Sequence, residues 1–349
     1  MKQGARKLKE VCLTAGKSFG MFHLASGSRF RNSRVLVLGY HGVSIDDEHR
    51  WDPALYISPE SFRHRMELLK RNRCNVLSLD EAVGLIKTGR LPERAVVLTF
   101  DDGTYDFYAV VWPILRQFGY PATVYLTTYY VDNPYPATPG IWSYMLWRAE
   151  GSKINGEAIL GTPTVLDLTT AIGRAEAMGQ LRSFADSRQM DASQRNNLSE
   201  KLAQLLGLDF DALCEKRIYQ LLKPEEIREL ARDGASVQMH MHVHLSPPQH
   251  KAYIDNLAIN RQRIVEMTGV VPKHFCYPSG RYTKENVNWL REYGVESATT
   301  CDPGLWSGET EPLLIPRLID SANPSNTAFE SWVVGIGPLL SRVGGWVRS

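Results

Sequence analysis

Residues 34–320 of this 349-residue chain alternate between two hydrophobic rhythms. Short unbroken apolar runs, such as "RVLVLGYHGV" (34–43) and "AVVLTF" (95–100), suit strands of a parallel sheet covered on both faces. Between them lie stretches with a period near 3.6. In "SPESFRHRMELLKRNR", Ser58 stands as N-cap, Pro59 at the first helical position, and Phe62, Met66 and Leu69 share one face. Ser78 and Glu81 form a capping box for a second helix that stops at Gly89. A helix over about 105–118 and the strand "ATVYLTT" follow, then helix–strand pairs at 224–234/235–239, 253–268/274–277 and 284–293/296–300. Repeated strand–helix units predict a parallel sheet, and this many of them predict a barrel.

Residues 134–223 break the rhythm. The Pro-rich "NPYPATPG" leads into "IWSYMLWRAE" and then polar helical stretches, which reads as a helical insertion. Three parts are expected: a basic, amphipathic extension over 1–33, a barrel over 34–322 carrying the insertion 134–223, and an apolar C-terminal tail over 323–349. A net charge of only +2 leaves no nucleic-acid footprint over the whole chain. The five scattered cysteines have neither metal-ligand nor redox spacing, which favours a reduced compartment. Lys17 and His23 interrupt the stretch that a signal peptide would need, so the expected location is cytoplasmic. The tail "FESWVVGIGPLLSRVGGWVRS" has two readings, packing on the body or peripheral contact with the inner face of the membrane.

Two features carry chemistry. "TFDDG" (99–103) sets Asp101 and Asp102 directly after a buried strand, where catalytic groups collect in parallel α/β folds. Adjacent acids there diverge, so one can bind a metal while the other stays free as a base; the bland alternative is an Asp-Gly turn. "QMHMHVHLS" (238–246) holds His240, His242 and His244 after another strand-like segment. On an extended strand all three rings would share one face, whereas in a curled chain His240 and His244 would meet and His242 would point away. Two imidazoles and one carboxylate with open positions form a catalytic zinc-type donor set.

With these motifs in view, the chain resembles polysaccharide deacetylases of the NodB-homology type, carbohydrate esterase family 4. The family's T-F-D-D-G motif is intact at Thr99–Gly103, its H-[ST]-x-x-H motif is matched by His240 and His244 with Met241 in second place, and its aromatic–x–x–Pro–x–Gly segment is matched by "FCYPSG" (275–280). The resemblance implies a distorted (β/α) barrel of about seven strands and hydrolysis of an N-acetyl group on an amino sugar of a polysaccharide or glycoconjugate. It implies that Asp102, His240 and His244 bind a divalent metal, zinc first, with cobalt, nickel or manganese as alternatives. Asp101 becomes the general base for the attacking water, and Ser279 lends a backbone N–H to the oxyanion; Tyr277 and, as an aromatic face suited to a sugar ring, Tyr105 are expected substrate contacts. Tyr105 has helix capping as its alternative. The family spacing selects the curled histidine arrangement, with His242 off the metal.

Two family parts are absent. Cys276 stands where the third motif often has an arginine, and "LLIPRLID" replaces the usual Leu-x-His, the source of the general acid. "GYHGV" (39–43) resembles the opening segment of exopolysaccharide-type members with rearranged motifs, so His41 is a candidate acid and Arg317 a candidate partner for Asp101. A turn-capping histidine and an ordinary surface arginine are the respective alternatives. Two rival functions stay open at this point: action on a lipid-linked glycan at the membrane face, and a catalytically silent glycan-binding protein of the same fold.

Overall fold

The computed structural model describes residues 2–133 and 135–338. Eight strands form one parallel sheet: β1 (Leu36–Tyr40), β2 (Asn75–Leu77), β3 (Ala95–Phe100), β4 (Thr123–Leu126), β5 (Ser236–Met239), β6 (His274–Cys276), β7 (Ser297–Thr299) and β8 (Leu318–Ile319). The continuous order is β7-β6-β5-β4-β3-β1-β8. β2 joins the side: it pairs with Ala95–Val97 of β3, while β4 pairs with Thr99 and Phe100 above it. Every residue of β1 and β3 is buried, as expected of strands covered on both faces.

The sheet's two edges are stitched together. Ile315 donates its N–H to the carbonyl of Ala298, and its own carbonyl accepts from Thr300 N–H, just before the chain enters β8. The sheet therefore curls into a distorted barrel of the expected kind. The connecting helices start and stop where local chemistry dictates. Ser58 caps the helix Pro59–Arg71, and the Ser78–Glu81 capping box opens Leu79–Thr88, which ends at left-handed Gly89 (φ 66°). The helix expected over 105–118 contains a π-helical turn, Phe107–Val111, ahead of Trp112–Phe118. Pro113 has no N–H for the ordinary ladder, and the turn widens beside it.

Between β4 and β5 the chain makes its excursion. The helices Gly140–Arg148, Ala171–Ser187, Ala192–Leu205 and Phe210–Glu215 enclose a separate apolar cluster around Trp142, Leu181 and Leu202. An antiparallel pair, Lys153–Asn155 with Val165–Asp167, lies within it and was not expected from the sequence. β4 and β5 nevertheless pair directly, so the excursion leaves the barrel intact.

Both ends of the described chain pack on the barrel. In the C-terminal helix Asn326–Val333, Phe329 and Val333 are buried and Glu330 meets Lys17 and Arg71. The rest of the expected tail, 339–349, lies outside the described residues. At the other end Leu13 and Phe22 pack with Val334, and the buried Arg31 donates to the carbonyls of Val333 (2.6 Å), Arg34 (2.9 Å) and Ala95 (3.1 Å). Among the described residues, no helix is long and apolar enough to cross a membrane.

Asp106 is sealed beneath the loop that carries His41, and its carboxylate accepts the Val43 N–H at 2.7 Å. Burial pushes its carboxyl up from an ordinary 3.8 to about 7. A carboxyl whose folded pKa exceeds its unfolded value disfavours the charged native state. Its contribution to stability therefore falls as pH rises from about 4 to about 7 and is level above that. Asp106→Asn keeps an oxygen acceptor without the charge. In denaturant titrations, the unfolding free energy of the variant relative to the parent should climb across that window and then plateau. A pH-independent difference would contradict the buried-carboxyl account.

Candidate active site

Four strands deliver the chemistry to one rim. Asp101 and Asp102 follow β3, His240 follows β5, Cys276 ends β6 and His41 follows β1, while Arg317, just before β8, reaches Asp101 through its side chain. This is the C-terminal rim, where backbone is freed from the sheet and side chains can converge. Asp102 (φ 69°) and Gly103 (φ 79°) are left-handed and turn the chain sharply. A Cβ on Gly103 would lie 2.3 Å from Leu126 Cδ1, so glycine is required there.

Asp101 is held by a buried fork. Arg317 donates to Asp101 Oδ1 at 2.7 Å and Oδ2 at 2.8 Å, and also to Thr99 Oγ1 (3.0 Å) and the Thr300 carbonyl (2.9 Å). Burial alone would push the Asp101 carboxyl up, but the guanidinium outweighs it and holds the group below its ordinary value. Arg317 is thus no surface arginine. Two small residues make room for it. A Cβ on Gly39 would lie 3.2 Å from Arg317 Nη1 and 2.6 Å from Ile319 Cδ1. Cys276, at the expected arginine position, lies with Sγ 3.1 Å from Arg317 Nη2. His41 Nε2 stands 3.8 Å from Asp101 Oδ2, and its buried Nδ1 has no hydrogen-bond partner.

Asp102 faces the histidines. Its Oδ1 is 3.3 Å from His240 Nε2 and 3.2 Å from His244 Nε2, and this buried oxygen has no hydrogen-bond partner. His240 Nδ1 is 2.8 Å from the Cys276 carbonyl, which can only accept. That contact fixes the proton on Nδ1 and leaves the Nε2 lone pair aimed at Asp102. A carboxylate oxygen and two ring nitrogens converging this closely form a donor set able to hold a cation. Tetrahedral sites with arms of about 2.0–2.2 Å put ligand atoms about 3.3–3.6 Å apart, close to the two Asp102–histidine distances. The donor chemistry therefore fits a divalent metal. A second cluster, Asp101, His240 and Cys276, also has ligand atoms within reach of one another. It fits poorly, because Arg317 already places a positive charge on Asp101 and Cys276.

The curl of the histidine segment has a local cause. Met241 (φ 66°) and His244 (φ 48°) are left-handed, which folds the chain back after β5. His242 turns away, its Nδ1 3.0 Å from Thr128 Oγ1. Two asparagines one turn apart on the helix His250–Thr268 pin the backbone of this segment. Asn256 accepts from His242 N–H (2.7 Å) and Asn260 from His240 N–H (3.1 Å), while Asn260 donates to the Leu126 carbonyl (2.9 Å). Sequence reasoning missed both. Their i,i+4 spacing on the face that buries Leu257 and Ile264 was the available signal.

His41, Asp102 and His244 open into a cavity of about 390 Å³ whose far wall comes from the insertion through Gly140, Arg182 and Tyr219. Tyr219 closes against Gly140, where a Cβ would lie 1.9 Å from its ring. Neither the two expected substrate contacts, Tyr277 and Tyr105, nor the expected oxyanion donor Ser279 lines this cavity. The Tyr277 side chain is fully buried and its hydroxyl donates to the Leu313 carbonyl (3.0 Å), so it has no surface to offer a sugar. Tyr105 packs beneath the Arg217 guanidinium, 3.7 Å from its ring centre. Ser279 sits on the turn after β6 with φ 56° and an exposed side chain.

The comparisons agree with this geometry. A family model for polysaccharide deacetylase matches residues 88–298. The poly-beta-1,6-N-acetyl-D-glucosamine N-deacetylase of Escherichia coli (strain K12) is 33% identical over 100 residues, which is 28% of this chain but only 15% of that protein's length. YxkH of Bacillus subtilis (strain 168) is 20% identical over 308 residues, covering 86% of this chain and 76% of that one. The fold is shared with the Streptococcus pyogenes deacetylase PplD (TM-score 0.56, 17% identity, 84% of this chain and 95% of that one). IcaB from Ammonifex degensii is similar in the same way (TM-score 0.53, 16% identity, 88% and 98%). With the family model spanning more than half of its length and the motif residues converging on one rim, this chain belongs to the polysaccharide deacetylase family.

Proposed function

We propose that this chain is a metal-dependent de-N-acetylase acting on an N-acetylated amino sugar within a glycan. The observation that carries the reading is the division of labour between neighbouring carboxylates: Asp102 faces two histidines, and Asp101 faces an arginine. A divalent cation held by Asp102, His240 and His244, zinc by its nitrogen-rich donor set, supplies Lewis acidity toward the acetamide carbonyl and lowers the pKa of water. Asp101 takes the proton from the attacking water, and Arg317 keeps that carboxylate ionised and oriented. The backbone N–H of Ser279 is assigned to the developing oxyanion. His41, beside Asp101 at the cavity edge, donates a proton to the leaving amine nitrogen as the C–N bond breaks, so amine and acetate depart. Polymers of β-1,6-linked N-acetylglucosamine are the first substrates to try, since the Escherichia coli relative is named for them.

Acetate release from such oligomers, measured on protein stripped with a chelator and then given zinc, tests the activity. Release should return with the metal, and Asp101→Asn should lower kcat by roughly 100-fold or more while still binding zinc. Zinc-loaded protein that releases no acetate from any of a broad panel of acetylated glycans would reject the reading.

Metal content separates ligands from neighbours. His240→Ala and His244→Ala should each come through dialysis with most of the zinc lost, and His242→Ala should keep it. Equal loss in all three would assign the third ring to the metal. Asn260→Ala, which frees the His240 backbone, should weaken zinc binding by about 10–100-fold in a competition titration. Unchanged affinity would show that the asparagine serves packing alone.

A further inference from the structure

The N-terminal helices Lys2–Ser18 and Met21–Ser26 present two apolar faces, and the barrel uses only one. Leu13, Gly16 and Phe22 point inward and are buried. On the other side, Val11, Ala15 and Phe19 follow one another at four-residue spacing and all are exposed. Val11 is 66% exposed and Phe19 86%, and Met21 (54%) and Leu24 (76%) on the next helix are exposed as well. Four of the twelve large hydrophobic side chains exposed among the described residues thus fall within positions 11–24. Scattered singly they would need no explanation, but their concentration within one short stretch does.

Charge identifies what this stretch meets. Apart from the buried Arg31, residues 1–34 hold seven lysines and arginines against one acid, Glu10, a net +6 in a chain whose total is +2. Where these helices meet the barrel, a hollow beside Phe22 is lined by His23, Arg73 and Arg94 together with Lys17 and Arg71, which pair with Glu330. We propose that this face docks on an anionic lipid surface, with Phe19, Met21 and Leu24 entering the headgroup boundary and the basic residues facing the phosphates. A second copy of the chain is disfavoured as occupant, because self-association here would bring two strongly positive surfaces together.

The docking face is independent of the catalytic reading.

Co-sedimentation of the full chain with vesicles tests it, using phosphatidylcholine alone and phosphatidylcholine mixed equally with phosphatidylglycerol. The chain should pellet with the anionic vesicles and not with the neutral ones. Phe19→Ser/Leu24→Ser, which alters exposed side chains and no charge, should weaken that binding by about tenfold or more with the thermal melt unchanged. Deleting 339–349 should leave binding intact. Failure to pellet with anionic vesicles, binding that survives the double substitution, or loss of binding on deleting 339–349 would each overturn the proposal. So would a lipid-free dimer, seen by light scattering, that the double substitution dissolves, since the face would then belong to a second copy.

Discussion

Two adjacent carboxylates at a strand end cannot both stay charged in a protein interior unless each has its own compensating charge. Much of this rim follows from that constraint. Asp101 is given a guanidinium by Arg317, from the far end of the sheet, and Asp102 is turned by a left-handed backbone toward two imidazoles. The Arg317–Asp101 pair is buried and bidentate, so removing either partner alone would strand the other's charge. Gly39 and Cys276 are small because the guanidinium occupies the space beside them. The same positive charge disfavours a cation at Asp101 and Cys276.

The barrel's closure is what makes that pairing available. Arg317 lies in the segment that joins the β7 edge to β1, between Ile315, which bonds to β7, and Leu318, which pairs with Leu38. Closing the sheet and supplying Asp101 with its partner are therefore one structural event. The insertion adds a wall without disturbing this frame, because β4 and β5 pair across its base. Its Tyr219 and Arg182 turn an open rim into a bounded cavity.

Much of this was legible in the residues. The fully buried strands announced themselves as unbroken apolar runs, and capping chemistry marked helix ends at Ser58, Ser78 and Gly89. The motif spacing singled out Asp101, Asp102, His240 and His244, and the structure brings all four to one rim. The Arg317–Asp101 contact spans 216 positions, so it was the family resemblance and not periodicity that offered Arg317 as a partner for Asp101. Asn256 and Asn260 were hidden because a buried polar residue on an apolar helix face looks like noise until the backbone it satisfies is in place. Tyr277 misled for the opposite reason. An aromatic beside a motif invites a ligand role, yet its hydroxyl is consumed by the Leu313 carbonyl.

The central claim is that these neighbouring carboxylates have different partners, Asp102 a metal and Asp101 an arginine. Anomalous diffraction from zinc-soaked crystals addresses it most directly. The account predicts one strong peak within bonding distance of Asp102, His240 Nε2 and His244 Nε2, with Arg317 still forked on Asp101. A peak on Asp101 and Cys276, or displacement of Arg317 from Asp101 by the ion, would contradict it.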